Sequence, residues 1–166
     1  MSSSSQNAST SPETQATIPE APQTTDKKAA TLELERLSKA CLFAWNDHDF
    51  DYEGNPDRRD FRERIAPRFE CRIENYPEHA MSWYGLNQLW RDYLATEPNC
   101  RFELISMHTD VNDGGRAVLY VEMDVTGVQN VNLIRFLEMK WKVVDGRWMY
   151  YSCTTMGGSK GNNGLL

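Results

Sequence analysis

The chain of 166 residues has only three histidines and four cysteines, and no long uninterrupted apolar run. Each scarcity removes a class of function. No window approaches the roughly 18 consecutive apolar residues of a membrane span, so no membrane partner is expected. The amino terminus lacks the basic start and apolar stretch of a secretory leader, running instead from Ser2 to Ser5 into Gln6 and Asn7, and the expected location is cytoplasmic. Cys41, Cys71, Cys100 and Cys153 are widely spaced without a CxxC pair, so they read as reduced, buried small residues and not as metal ligands. No metal or cofactor is expected. With 18 Lys and Arg against 24 Asp and Glu, the net charge of -6 disfavours nucleic acid, because phosphate contacts need clustered cations.

Residues 1–30 also lack aromatics and have Met1 and Ile18 as their only large apolar side chains. Such a segment cannot offset roughly 1–2 kcal/mol per residue of ordering entropy, so it is expected to be a disordered Ser/Thr/Pro-rich tail. A single domain is expected over residues 31–156, followed by a flexible Gly- and Asn-rich end over 157–166. All five tryptophans fall within this domain, enough to fill a core or to line a cavity.

Leu34, Leu37, Cys41, Ala44, Trp45 and His48 recur at spacings of three and four, which predicts a first helix over 31–49 with Thr31 as its cap. Asn55 before Pro56 starts a short second helix, with Phe61 and Ile65 on its apolar face and Pro67 expected to stop it. Its arginines pair at i, i+4, as Arg59 with Glu63 and Asp60 with Arg64, the pattern of a solvated helix. Phe69 to Tyr76 reads as a strand. Ser82 to Thr96 reads as a third helix closed by Pro98. Arg101 to Val111, Arg116 to Thr126, Val131 to Val144 and Arg147 to Thr155 are β-rich runs, with turns at Asn112 to Gly115 and at Asp145 and Gly146. The fold class is α+β, a curved antiparallel sheet wrapped as a cone around three N-terminal helices.

Three segments carry a family resemblance: "LFAWNDHDFD" at the end of the first helix, "ERIAPRFECRIEN" crossing into the first strand, and "WKVVDGRWMYY" joining the last two strands. The chain resembles the nuclear transport factor 2-like superfamily, and within it the SnoaL-like group of polyketide cyclase relatives, over about Leu34 to Thr155. The resemblance implies a cone-shaped scaffold that hosts dehydratases, isomerases, cyclases and non-catalytic proteins. The scytalone dehydratase family is similar through its aromatic pair ending the first helix and its "IAP". That family's helix-one acid falls at Asn46, and its pocket histidines fall near Glu103 and near Ile134 or Arg135, where this chain has no histidine.

Acid–base chemistry in such a cone needs a proton carrier and donors for developing negative charge. His108 with Asp110 is one candidate pair, expected to share a strand face with Phe102, Leu104 and Ser106. The opposite face, with Ile105, Met107 and Val111, is equally apolar, so alternation leaves the choice open. His48 beside Asp49 is a second candidate, either a base or a helix-end histidine bonded to backbone or to Asp49. His79 is expected in an exposed loop. Glu138, Lys140 and Lys142 mark one face of their strand as solvated, which turns Arg135, Leu137, Met139 and Trp141 inward. Arg135 then meets either a protein carboxylate or an anionic or carbonyl group of a ligand. Trp45, Asn46, Tyr76, Trp83, Trp90 and Trp141 are expected to wall the pocket. Ile134 and Phe136, with Tyr120, form an outer apolar face that points to a homodimer. The expected function is a cofactor-independent cyclase, isomerase or dehydratase acting on a small apolar oxygenated metabolite. The alternative is a non-catalytic ligand-binding or dimerisation module of the same fold.

Overall fold

The structure, a computed structural model, describes residues 24–74, 80–128 and 133–159. Helix α1 (Thr24–Asn46) begins earlier than the expected cap at Thr31. Thr31 lies inside it, its hydroxyl donating to the Lys27 carbonyl at 2.9 Å. Asp26 in the first turn suits the positive helix end, and Lys27 pairs with Asp113 at 2.5 Å, so a tertiary contact holds the added turns. Those turns belong to the segment expected as tail, and the rest of that segment lies outside the described residues. The Leu34, Leu37, Cys41, Ala44 and Trp45 stripe is buried, each leucine stabilising the fold by roughly 1.5–3 kcal/mol.

Helix α2 (Pro56–Glu63) starts as its sequence predicts, with the Asn55 side chain accepting from the Arg58 N–H at 3.0 Å. Arg36 of α1 bonds both Asp57 and Asp60, at 2.5 and 2.6 Å, and so ties the two helices together. Asp60 and Arg64 pair at 3.0 Å as expected, while Arg59 donates to the Glu53 carbonyl. Pro67 does not end this helix. It sits within β1 (Ile65–Ile73), where the pairing register shifts between Ile65 and Glu70. A proline is tolerated there because β1 is an edge strand with a break in its ladder. The strand ends at Ile73, and Tyr76 lies outside the described residues.

Helix α3 (Trp83–Thr96) is capped by Ser82, whose hydroxyl accepts from the Gly85 N–H at 3.2 Å. Strands β2 (Arg101–Val111), β3 (Arg116–Thr126), β4 (Leu133–Val144) and β5 (Arg147–Ser159) form the expected antiparallel meander. β5 runs on through Gly157 and Gly158, residues expected to belong to a frayed end. The sheet is not wholly antiparallel. Its order is β1-β5-β4-β3-β2, and β1 joins the free edge of β5 in parallel. Helix α3 links the two opposite edge strands and lies across the concave face.

Asp145 and Gly146 turn β4 into β5 with φ of 50° and 74°, the left-handed pair of a tight hairpin. Gly127 is required for space as well as for its φ of 75°, since a Cβ there would lie 1.8 Å from the Asn99 carbonyl oxygen. Among the described residues no helix is long and apolar enough to cross a membrane, and no cluster of His, Cys, Asp and Glu is arranged to hold a metal. The four cysteines are free and buried, with Cys71 and Cys153 in register across β1 and β5 and their Sγ atoms 3.0 Å apart.

Candidate functional site

The cone has a filled end and a hollow end. At the filled end, the loop between α1 and α2 drives Tyr52 inward beside Phe61, with ring centroids 5.4 Å apart. Trp83, Trp141 and Tyr150 close around them. The loop is held in an unfavourable shape, because His48 and Tyr52 both have positive φ, 56° and 59°. Asp49 stabilises it by accepting from the Glu53 and Gly54 N–H groups at 3.0 and 2.8 Å and from Arg58 at 3.0 Å. Burial would raise the Asp49 carboxyl, yet the Gly54 N–H, the Arg58 guanidinium and the Glu53 N–H hold it below the ordinary carboxylate range. Arg58 is itself buried and also bonds Asp47 and the Phe43 carbonyl.

At the hollow end lies a cavity of about 210 Å³. Helix α3 contributes Leu89, Trp90 and Tyr93, β2 and β3 contribute Phe102 and Val125, and β1, β4 and β5 contribute Ile73, Leu133, Arg135 and Thr155. Inward it continues past Trp45, Met123, Leu137 and Cys153 as a slot of about 10 Å³, room for no more than one water. Burial pushes the Tyr93 phenol above its ordinary value, as do Cys100 and Glu97, while the charge of Arg135 pulls it down. Tyr93 is therefore a neutral hydroxyl at physiological pH.

The cavity collects few of the expected site residues. Trp90 and Arg135 line it, and Trp45 walls the inner slot with its Nε1–H donated to the Tyr52 hydroxyl at 2.9 Å. Asn46 is a clamp and not a pocket group. Its amide donates to the Phe102 carbonyl and accepts from the Phe102 N–H, both at 2.8 Å, fastening the end of α1 to β2. Trp141 is wholly buried, stacked on Tyr150 at 5.0 Å, and Trp83 packs edge-on to Phe69 at 5.2 Å. Trp141 is core and Trp83 packs, partly buried, against that core, because the Tyr52 loop and α2 fill the space they would otherwise border. Tyr76 and His79 lie outside the described residues.

The expected acid–base groups are not in the cavity. His48 falls past the end of α1, where the left-handed turn carries its exposed ring away from the helical stripe to stack on Phe50 at 6.3 Å. Asp49 is committed to the loop. His108 and Asp110 stand on the outer face of the sheet, both exposed, with His108 paired to Tyr120. The cause is a bulge between Leu104 and Ser106 in β2. Before it, Phe102 and Leu104 face inward. After it Met107, Thr109 and Val111 do, so the extra residue turns Ser106, His108 and Asp110 to the far side.

Tyr93, Thr155 and Phe102 were not singled out in the sequence as pocket residues. Tyr93 was within reach, since it sits three positions after Trp90 on the same helical face. Thr155 was not, because the extra residue Tyr151 at a register shift in β5 reverses the alternation and turns Cys153 and Thr155 to the side of Tyr150. On the outer face Phe136 is 41% exposed, paired across the sheet with Met156 and Glu122, and Tyr120 is 50% exposed.

No protein-family model matches the sequence, and no curated protein matches it. Solved structures do. A protein with a cystatin-like fold from Caulobacter vibrioides aligns at a TM-score of 0.61 with 17% identity, over 78% of this chain and 90% of that one. A nuclear transport factor 2-like protein from Pseudomonas putida KT2440 gives 0.60 and 13%, over 77% and 86%. The hexachlorocyclohexane dehydrochlorinase LinA-type3 from Novosphingobium barchaimii LL02 gives 0.65 and 9%, over 87% and 99%. The chain therefore has the nuclear transport factor 2-like fold. At these identities the likeness is one of fold alone, and function has to be argued from the cavity.

Proposed function

We propose that the protein holds one small apolar, oxygenated molecule in the hollow end of the cone, and that the cavity acts by binding. The observation that carries this reading is the lining itself. Trp90, Tyr93, Phe102, Leu89 and Val125 supply apolar walls, and among the described residues the polar groups of the lining are hydrogen-bond donors, with no carboxylate or imidazole. An acid–base reaction needs a group that takes a proton within reach of the substrate; His108, Asp110 and His48 are exposed outside the cavity, and Asp49 is committed to the α1–α2 loop. The test is native mass spectrometry of the full chain after exposure to cell extract, followed by incubation with any retained compound. Retention without conversion, lost in Trp90→Ala, is the expected result, and turnover would overturn it.

A second reading, a SnoaL-like lyase or isomerase, is favoured by the dehydrochlorinase among the similar folds. Its base would have to come from the rim, where Glu74 accepts the Gly157 N–H, or from His79, which follows Ile73 and Glu74 closely in sequence. Loss of turnover in His79→Ala would support it. On the outer face, Tyr120, Phe136 and Met156 line one exposed groove that suits a second copy of the chain, and Phe136→Glu should convert a dimer to a monomer in light scattering. Four free thiols suit a reducing compartment, the cytoplasm.

A further inference from the structure

We infer that the ligand is an organic carboxylate, a small apolar body bearing one anionic group, and that Arg135 is the residue that takes the anion; this rests on the cavity being a ligand site. The polar side chains of the lining are Arg135, Tyr93, Thr155 and Trp90. Every one has a proton to donate. Trp90 presents its ring to the cavity wall, so Arg135, Tyr93 and Thr155 are the donors left for a bound group. A guanidinium in an apolar cavity calls for an acceptor of opposite charge, and a carboxylate matches its planar fork.

The backbone makes room for this group. Arg135 on β4 is paired with Gly157 on β5, and a Cβ at Gly157 would lie 2.8 Å from Arg135 Nη1. Glycine leaves the guanidinium this position without crowding, and a side chain there would make it shift. Among the described residues Arg135 forms no ion pair. The acidic competitor is Glu74 at the rim, whose Oε2 would lie 3.8 Å from the same Cβ and already accepts the Gly157 N–H at 2.7 Å. The net charge of -6 opposes an approaching anion, but charges beyond about 8 Å are screened at physiological salt, so the local guanidinium decides.

The experiment is calorimetric titration of the full chain with three probes of one shape: 3-phenylpropanoate, 3-phenylpropanamide and 3-phenylpropylamine. The carboxylate should bind about tenfold or more tighter than the amide, and the amine weakest. Arg135→Gln should bring carboxylate and amide together, Arg135→Lys should restore part of the preference, and Glu74→Gln should tighten carboxylate binding. Gly157→Ala, which crowds the guanidinium without removing it, should also weaken the preference and serves if Arg135→Gln does not fold. Equal binding of carboxylate and amide to the parent protein would overturn the anion assignment and leave the cavity reading standing. A preference unchanged in both Arg135→Gln and Gly157→Ala would overturn the role of Arg135. Failure of all three probes to bind would overturn the cavity reading and this inference with it.

Discussion

The filled and hollow ends of the cone draw on the same kinds of side chain. Tyr52, Phe61, Trp83, Trp141 and Tyr150 crowd into contact at one end, while Trp90, Tyr93 and Phe102 stand around about 210 Å³ of space at the other. The difference is a plug. At the filled end the α1–α2 loop, held in strain by Asp49 and Arg58, pushes Tyr52 into the gap between helix and sheet, where it meets Phe61 of α2. No described segment enters the other end. Aromatic richness therefore tells where volume must be occupied or enclosed, and the connecting loop decides which.

Truncation at the two ends should separate them most strongly. Trp141→Ala leaves a cavity among close-packed rings and should cost about 3–5 kcal/mol in urea unfolding, whereas Trp90→Ala already borders a void and should cost about 1–2 kcal/mol while abolishing ligand binding. Similar losses at both sites would erase the distinction. Arg58→Ala removes the partner of Asp49 and should destabilise by about 2–3 kcal/mol, with the exposed Asp47 contributing little of that.

The same clamp sets an acid limit. Because the folded carboxyl of Asp49 is depressed, its contribution is fully present above the ordinary aspartate value of 3.8 and is lost as pH falls below it through the folded value. Melting temperatures between pH 5 and pH 2 should fall less steeply in Asp49→Asn than in the parent, and parallel curves would refute the clamp. Asn46→Ala, which cuts both bonds to Phe102, should cost about 1–2 kcal/mol and leave the ligand preference intact, identifying it as a fastening between α1 and β2. His108→Ala should change stability by less than about 0.5 kcal/mol and ligand affinity not at all, as befits an exposed residue on the outer face.

Much of the framework was legible along the chain. The Asn55-Pro56 start, a third helix ending at Thr96, the Asp145-Gly146 turn and the bounds of β2 and β3 follow from local chemistry, and the structure places them as predicted. Arg135 was legible too, because Glu138, Lys140 and Lys142 mark the opposite face of β4. Elsewhere the local rules failed for identifiable reasons. Pro67 reads as a helix stop but is accommodated by an edge strand at a register break, and α1 gains extra turns where Lys27 reaches Asp113. Asn46 looked like a pocket residue, since nothing local shows that its amide will meet the Phe102 backbone.

By itself, then, the sequence determined the order of helices and strands, the location of the turns and the inward set of β4, because each depends on neighbours only a few residues away. Tertiary structure alone decided which aromatics are core and which are wall, and on which side of the sheet His108 stands. The first depends on what the α1–α2 loop fills, and the second on one extra residue in β2 that reverses the alternation of every side chain after it.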